Sequence, residues 1–208
     1  MALRLILVRH AETDWNREGR YQGWKDVPLS ETGRAQAAAA ARLLASERLS
    51  AVWSSPFRRA YDTATAIAAP HRLEVRVDDG FREMGFGDWE GRTRAELAAT
   101  APEPYQVWRD TPHLAAMPGA ETLGDVKKRV LGGLEDLREA HDGHTICLVT
   151  HGIVSRILIL EALGLELDRL WSVHVAATGI SELEFREDWT ALHRMNSLVH
   201  LDLLPELG

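Results

Sequence analysis

Leu3-Arg4-Leu5-Ile6-Leu7-Val8 runs without a break into Arg9-His10-Ala11-Glu12-Thr13-Asp14-Trp15-Asn16. The first six residues are short, branched and mostly apolar, the pattern of a strand buried on both faces. Buried strands normally give way to turn residues, whereas this one ends on two strongly polar side chains. In open α/β folds, ligands bind outside the carboxyl ends of the strands. Arg9 and His10 therefore stand where a site is expected. An imidazole can attack phosphorus, and a guanidinium can hold the phosphate under attack.

Outward from this run, helical and strand patterns alternate. Ser30 can cap a helix over 31–48, and a short strand covers 49–54. A helix over 57–69 is stopped by Pro70, and Leu73–Val77 alternates like a half-buried strand. Residues 78–121 are the least regular, with short helical pieces near 93–100 and 103–109 and prolines at 102, 104, 112 and 118. They read as an excursion that covers the site, not as a separate domain. Thr122 and Asp125 stand at N-cap and N3 spacing and open a helix to about 141. Gly132-Gly133 inside it costs about 1 kcal/mol per glycine relative to alanine.

Residues 144–150 form a second buried-strand pattern, and a helix over 152–163 stops at Gly164. Strands are expected near 172–177, 180–185 and 190–195, the last two as a hairpin at one edge. The expected fold is a three-layer α/β/α sandwich around a mostly parallel sheet, one domain over 1–208.

Apolar residues make up 45% and charged residues 26%, as in an ordinary globular chain. No apolar stretch reaches the roughly 18–20 residues that cross a bilayer. Met1-Ala2-Leu3-Arg4 enters a strand too soon for a signal peptide, so the expected location is the cytoplasm, away from any membrane. Cys147 is the single cysteine; it lies in an apolar run, reads as a core residue and leaves no internal disulfide. A net charge of −7 argues against a nucleic-acid partner. It leaves room for a small anionic substrate, because a pocket's local field can oppose the net charge. A homodimer is compatible with the sequence, which fixes no interface.

The strand over 144–150 also ends in a histidine, His151. Two distant strands that each deliver an imidazole at the carboxyl end outweigh either histidine alone, which would more often be structural. A third segment, Ser54-Ser55-Pro56-Phe57-Arg58-Arg59-Ala60, places two arginines at a helix start. Cations there oppose the helix dipole unless an anion is held nearby. Adjacent residues point about 100° apart, so only one of the two need face a site. A fourth segment, Phe81 to Gly91, carries Glu83, Asp88 and Glu90 among aromatics and glycines. A carboxyl among such rings beside a phosphate dianion is pushed toward its neutral form, as a general acid requires. Spacing alone does not choose among the three.

The pattern Arg9-His10-Ala11-Glu12-Thr13-x-x-Asn16 resembles the signature of the histidine phosphatase superfamily, whose fold is phosphoglycerate-mutase-like. Further blocks match in order: Gln22-Gly23, then Leu29-Ser30-x-x-Gly33, then Ser54-Ser55-Pro56-x-x-Arg59-Ala60-x-x-Thr63-Ala64. Arg82-Glu83-x-x-Phe86-Gly87-x-Trp89-Glu90-Gly91 and Val149-Thr150-His151-Gly152 complete the series, and the likeness spans about 3–185. The resemblance implies His10 as a transiently phosphorylated nucleophile and Glu83 as proton donor, then base. It implies that Arg9, Arg59 and His151 hold the phosphoryl oxygens. Thr13, Asn16, Gln22, Gly23 and Gly152 complete the phosphate-binding set. Arg58 is left at the surface or the substrate rim. Neither metal nor cofactor is implied, since the protein supplies its own cations.

The block from Phe86 to Gly91 looks like the phosphatase branch, whereas phosphoglycerate mutases typically have Tyr-Gly after the glutamate. The chain is also shorter than those mutases, and residues 92–121 hold only Arg92, Arg94 and Arg109 as arginines. The expected function is hydrolysis of a small phosphorylated metabolite such as α-ribazole 5′-phosphate or a phosphosugar, with narrow or broad specificity. The alternatives are a cofactor-dependent phosphoglycerate mutase, a metallohydrolase using His10, Glu12, Asp14 and His151, and a silent phospho-ligand-binding module. Arg92 and Arg94 are candidate contacts for an anionic substrate. Trp15, Trp24, Trp89 and Trp108 are candidates for an apolar entrance. Many relatives carry an asparagine near 176–180, where this chain has Ala176-Ala177-Thr178-Gly179.

Overall fold

The computed structural model describes residues 1–202. Its strands are β1 (Leu3–Arg9), β2 (Ala51–Ser54), β3 (Val75–Val77), β4 (Thr145–Thr150), β5 (Ile180–Phe185) and β6 (Thr190–Ser197). They form one six-stranded sheet in the order β3-β2-β4-β1-β5-β6. The strands from β3 to β1 run parallel, and β5 and β6 close one edge as an antiparallel hairpin. The helices are α1 (Asp14–Arg17), α2 (Glu31–Leu44), α3 (Arg58–Ala68), α4 (Arg94–Thr100), α5 (Pro102–Asp110), α6 (Leu123–Ala140) and α7 (Gly152–Ala162).

Successive side chains of a strand point to opposite faces of the sheet. Leu5 and Leu7 of β1 and Ile146 and Leu148 of β4 join α6 and α7 in one core. Ile6, Val8, Cys147 and Val149 join α2 and α3 in a second core on the other face. Both faces are thus covered by helices, which is why β1 and β4 read as unbroken apolar runs. This is the expected three-layer sandwich. Burial pushes the Cys147 thiol up to about 12, consistent with a packing residue. Among the described residues no helix is long and apolar enough to cross a membrane.

Ser30 caps α2 by accepting from the Gly33 N–H, and Thr122 and Asp125 form a reciprocal capping box on α6. α2 ends at Leu44, short of the expected 48. Residues 172–177 are not a strand. A 3₁₀ turn covers Leu167–Ser172, and the chain then runs without a ladder partner into a turn at Ala177-Thr178. Side chains take up its polar groups instead: Arg9 Nη1 donates to the Val175 carbonyl at 2.8 Å, and the Ala176 N–H donates to Asn196 Oδ1 at 2.8 Å. The glycine pair of α6 divides. A methyl on Gly133 would stand 2.9 Å from Phe81 Cζ, whereas Gly132 faces open space and nothing in the structure explains it.

Candidate active site

β2, β4 and β1 are neighbours, and their carboxyl ends fall in one row. Arg9 stands opposite Thr150 in the parallel register, and Ser54 opposite Val149. The next residues, His10, His151 and Ser55, therefore emerge side by side. The His10 N–H donates to the Thr150 carbonyl at 2.8 Å, and the two imidazole centroids are 5.2 Å apart. α3 begins just beyond β2 and turns Arg59 inward while Arg58 stays exposed. Arg59 is fully buried; Nη1 donates to the Lys25 carbonyl (2.7 Å) and Nη2 to the Gly23 carbonyl (2.8 Å).

Glu83 arrives from the segment after β3. Its Oε2 accepts from the Gly152 N–H at 3.1 Å, and Oε1 accepts from the N–H groups of Met84 (2.9 Å) and Ile153 (3.3 Å). The carboxylate thus sits at the positive end of α7. Its backbone is clamped by Arg129 of α6, which donates to the carbonyls of Gly80 (2.8 Å), Arg82 (2.6 Å) and Glu83 (3.0 Å). Arg129 is itself neutralised by Glu121 at 2.8 Å.

These groups line a cleft of about 350 Å³, within the range of small-molecule sites. Burial holds the His10 imidazole well below its ordinary titration range, and the nearby Arg59 and Arg9 charges push it further. His151 is depressed by the same burial and by Arg59. Both rings are therefore neutral at physiological pH. His10 Nδ1 lies 2.7 Å from the Ala11 carbonyl oxygen, which can only accept. Nδ1 carries the ring proton, and Nε2 keeps its lone pair. His151 Nε2 lies 2.6 Å from Ser55 Oγ, which also accepts from the Phe57 N–H at 3.4 Å. When the Ser55 hydroxyl donates to Nε2, the His151 ring proton stands on Nδ1, which has no partner among the described residues.

Of the residues expected from the sequence, Arg9, His10, Asn16, Gln22, Gly23, Arg59, Glu83 and Gly152 line this cleft. His151 lies just behind His10. Thr13 does not line it: its hydroxyl caps α1 and, with its own N–H, fixes Asn16 Oδ1, which leaves the Asn16 amide hydrogens free. Glu90 is turned to the Trp24 and Phe86 N–H groups. Asp14 pairs with Arg17 at the surface and Glu12 accepts from Ser30, so the set His10, Glu12, Asp14 and His151 does not converge.

Only Trp108 of the four tryptophans lines the cleft; Trp171 joins it unforeseen. Trp89 is core, Trp15 packs beside Gly91, and Trp24 stacks on Arg82. Arg94 lines the cleft and Arg92 does not. Asn196 on β6 supplies an amide to the 176–179 turn, where the local sequence has none. Ser55, Arg129 and Arg156 were also missed. Ser55 lay inside a recognised block, but the other two carry no local signal.

The family model described as the histidine phosphatase superfamily (branch 1) matches residues 5–198. Phosphoserine phosphatase 1 of Hydrogenobacter thermophilus is 37% identical over 199 residues, covering 96% of this chain and 94% of that protein. Glucosyl-3-phosphoglycerate phosphatase of Mycolicibacterium vanbaalenii is 37% identical over 177 residues, 82% of this chain and 78% of that protein. The solved structure of the α-ribazole phosphatase from Shigella flexneri superposes with a TM-score of 0.86 at 29% identity, covering 94% of this chain and 96% of that one.

Proposed function

Because this chain belongs to the histidine phosphatase superfamily, branch 1, and is a phosphoric monoester hydrolase of small phosphorylated metabolites, we propose that it works through a phosphohistidine on His10. His10 Nε2 attacks phosphorus, the bond to the leaving oxygen breaks, and Glu83 gives that oxygen its proton. Water then attacks the phosphohistidine, Glu83 takes the water's proton, and inorganic phosphate leaves with His10 restored. Arg9, Arg59 and the Nδ1–H of His151 stabilise charge on the equatorial oxygens, with Asn16, Gln22 and the Gly23 backbone as further donors, while the Gly152 N–H holds Glu83. The observation that carries this reading is the neutral His10 ring with Nδ1 tied to Ala11, which leaves Nε2 available in a cleft lined by guanidinium groups.

Residues 78–121 supply Phe86, Arg94 and Trp108 to one wall of the cleft, which supports their role as its cover. Candidate substrates are O-phosphoserine, glucosyl-3-phosphoglycerate and α-ribazole 5′-phosphate, compounds of the kinds that the relatives' names give, and the phosphosugars expected from the sequence. The test is His10→Ala on an aryl phosphate, with acid-stable and acid-labile ³²P separated after a quench. Loss of about 10³-fold or more, together with loss of an acid-labile phosphoenzyme, is expected. Full turnover by the variant overturns the reading. A preference of about 100-fold across a substrate panel, about 2.7 kcal/mol, would name the substrate.

A further inference from the structure

The cleft carries more positive charge than a phosphate monoester needs. Arg17 pairs with Asp14, and Arg20 with Glu18 and Glu96. Among the described residues, Arg9, Arg59, Arg94 and Arg156 line the cleft without a carboxylate partner in salt-bridge range. Two carboxylates line it as well, Glu12 and Glu83. When Glu83 carries the proton it is to deliver, three positive charges remain in excess. A phosphate monoester brings two negative ones.

Arg156 is the surplus group nearest the chemistry. Its Nε donates to the Val173 carbonyl (2.9 Å), Nη1 to the Gly152 carbonyl (3.0 Å), and its guanidinium lies over the Trp171 ring, 5.2 Å from the centroid. Trp171 is fixed in turn by its Nε1–H to the Trp108 carbonyl at 3.0 Å. Arg156 is therefore held on three sides, while Nη2 has no bond assigned among the described residues. A methyl on Gly152 would stand 3.3 Å from Arg156 Nη1, 3.7 Å from Glu83 Oε2 and 3.8 Å from Arg9 Cζ. These three groups thus converge on one spot. Glu83 serves the departing oxygen, so Arg156 flanks the leaving alcohol. Burial and the neighbouring Arg9 charge lower Arg156 to about 10, which still leaves it charged at neutral pH.

We propose that Arg156, with Arg94 at the exposed rim, binds a carboxylate on the leaving alcohol, so that phosphomonoesters of small hydroxy acids are the preferred substrates. The inference rests on the phosphomonoesterase reading of the cleft. A held guanidinium donates directed hydrogen bonds to a carboxylate, and that carboxylate neutralises the third charge.

The test compares 3-phosphoglycerate with glycerol 3-phosphate, in which a hydroxymethyl replaces the carboxylate, and uses p-nitrophenyl phosphate as reference. The wild type should favour 3-phosphoglycerate by about 30-fold in kcat/KM, the scale of one charge-assisted contact. Arg156→Ala should reduce that ratio to about threefold or less, and Arg156→Lys should recover part of it. Because the ratio is taken within one preparation, it does not depend on the fraction folded. A wild-type ratio near one, or equal losses on all three esters in Arg156→Ala, overturns the proposal. Turnover of p-nitrophenyl phosphate without a carboxylate preference refutes this inference alone. No turnover of any ester refutes the underlying reading and the inference with it.

Discussion

Ser55→Ala removes one hydroxyl and should be felt in two separable ways. The hydroxyl lies 2.6 Å from His151 Nε2 and, by donating to it, would hold the ring proton on Nδ1, the nitrogen proposed to face a phosphoryl oxygen. Without it the other tautomer competes, and the donor to the transition state is lost for part of the time. A hydrogen bond between neutral groups contributes about 1–1.5 kcal/mol net, so kcat/KM should fall about 5- to 12-fold. His151 and Ser55 are both fully buried. An unpaired Nε2 there costs about 1–3 kcal/mol of stability, or about 2–4 °C in Tm for each kcal/mol at this chain length. The assay is steady-state turnover of an aryl phosphate, calorimetric Tm and ¹⁵N shifts of the His151 ring. Turnover within twofold of wild type, with the His151 tautomer unchanged, would refute the reasoning.

Glu83→Gln should reduce kcat/KM by about 10²–10⁴ on an alkyl phosphate but far less on an aryl phosphate, whose phenolate leaves without a proton. kcat/KM ends at formation of the phosphoenzyme and so isolates this role; equal losses on both esters would contradict it. His10 and His151 are neutral in the folded chain but titrate near 6.5 when unfolded. Above that pH neither state binds the proton. As pH falls below it the unfolded chain takes up protons that the folded chain refuses, and stability drops by about 1.4 kcal/mol per pH unit for each ring. Urea denaturation at stepped pH should show this slope, diminished in His10→Gln; an identical slope in both proteins contradicts it. Gly132→Ala faces open space and should stabilise by about 1 kcal/mol. Gly133→Ala meets the Phe81 ring at 2.9 Å and should fall about 1–3 kcal/mol below it in the same denaturation series.

The sandwich was legible because its signals are local. The unbroken apolar runs of β1 and β4 report burial on both faces, and Ser30 and the Thr122/Asp125 pair mark helix starts within four residues. The paired histidines were legible for the same reason, since each follows its strand directly. The strand expected near 172–177 did not form, because its polar groups find partners far along the chain and not in a ladder. Val173 accepts from Arg156, Val175 accepts from Arg9 and Ala176 donates to Asn196, which lie 17, 166 and 20 positions away in the chain. The tryptophans failed similarly, because composition cannot say whether an indole meets core, solvent or cleft.

By itself the sequence determined the layered fold, the row of strand ends and the residue types that handle phosphorus. Periodicity, capping and block order are properties of neighbouring residues. Only the tertiary structure decided which tautomer His10 holds, that Ser55 meets His151 Nε2, how Arg129 clamps the Glu83 backbone, and that Arg94 and Arg156 share the cleft with Arg9 and Arg59. Those facts depend on distances between groups far apart in the chain, and the charge that a cleft presents to its ligand is set by such distances.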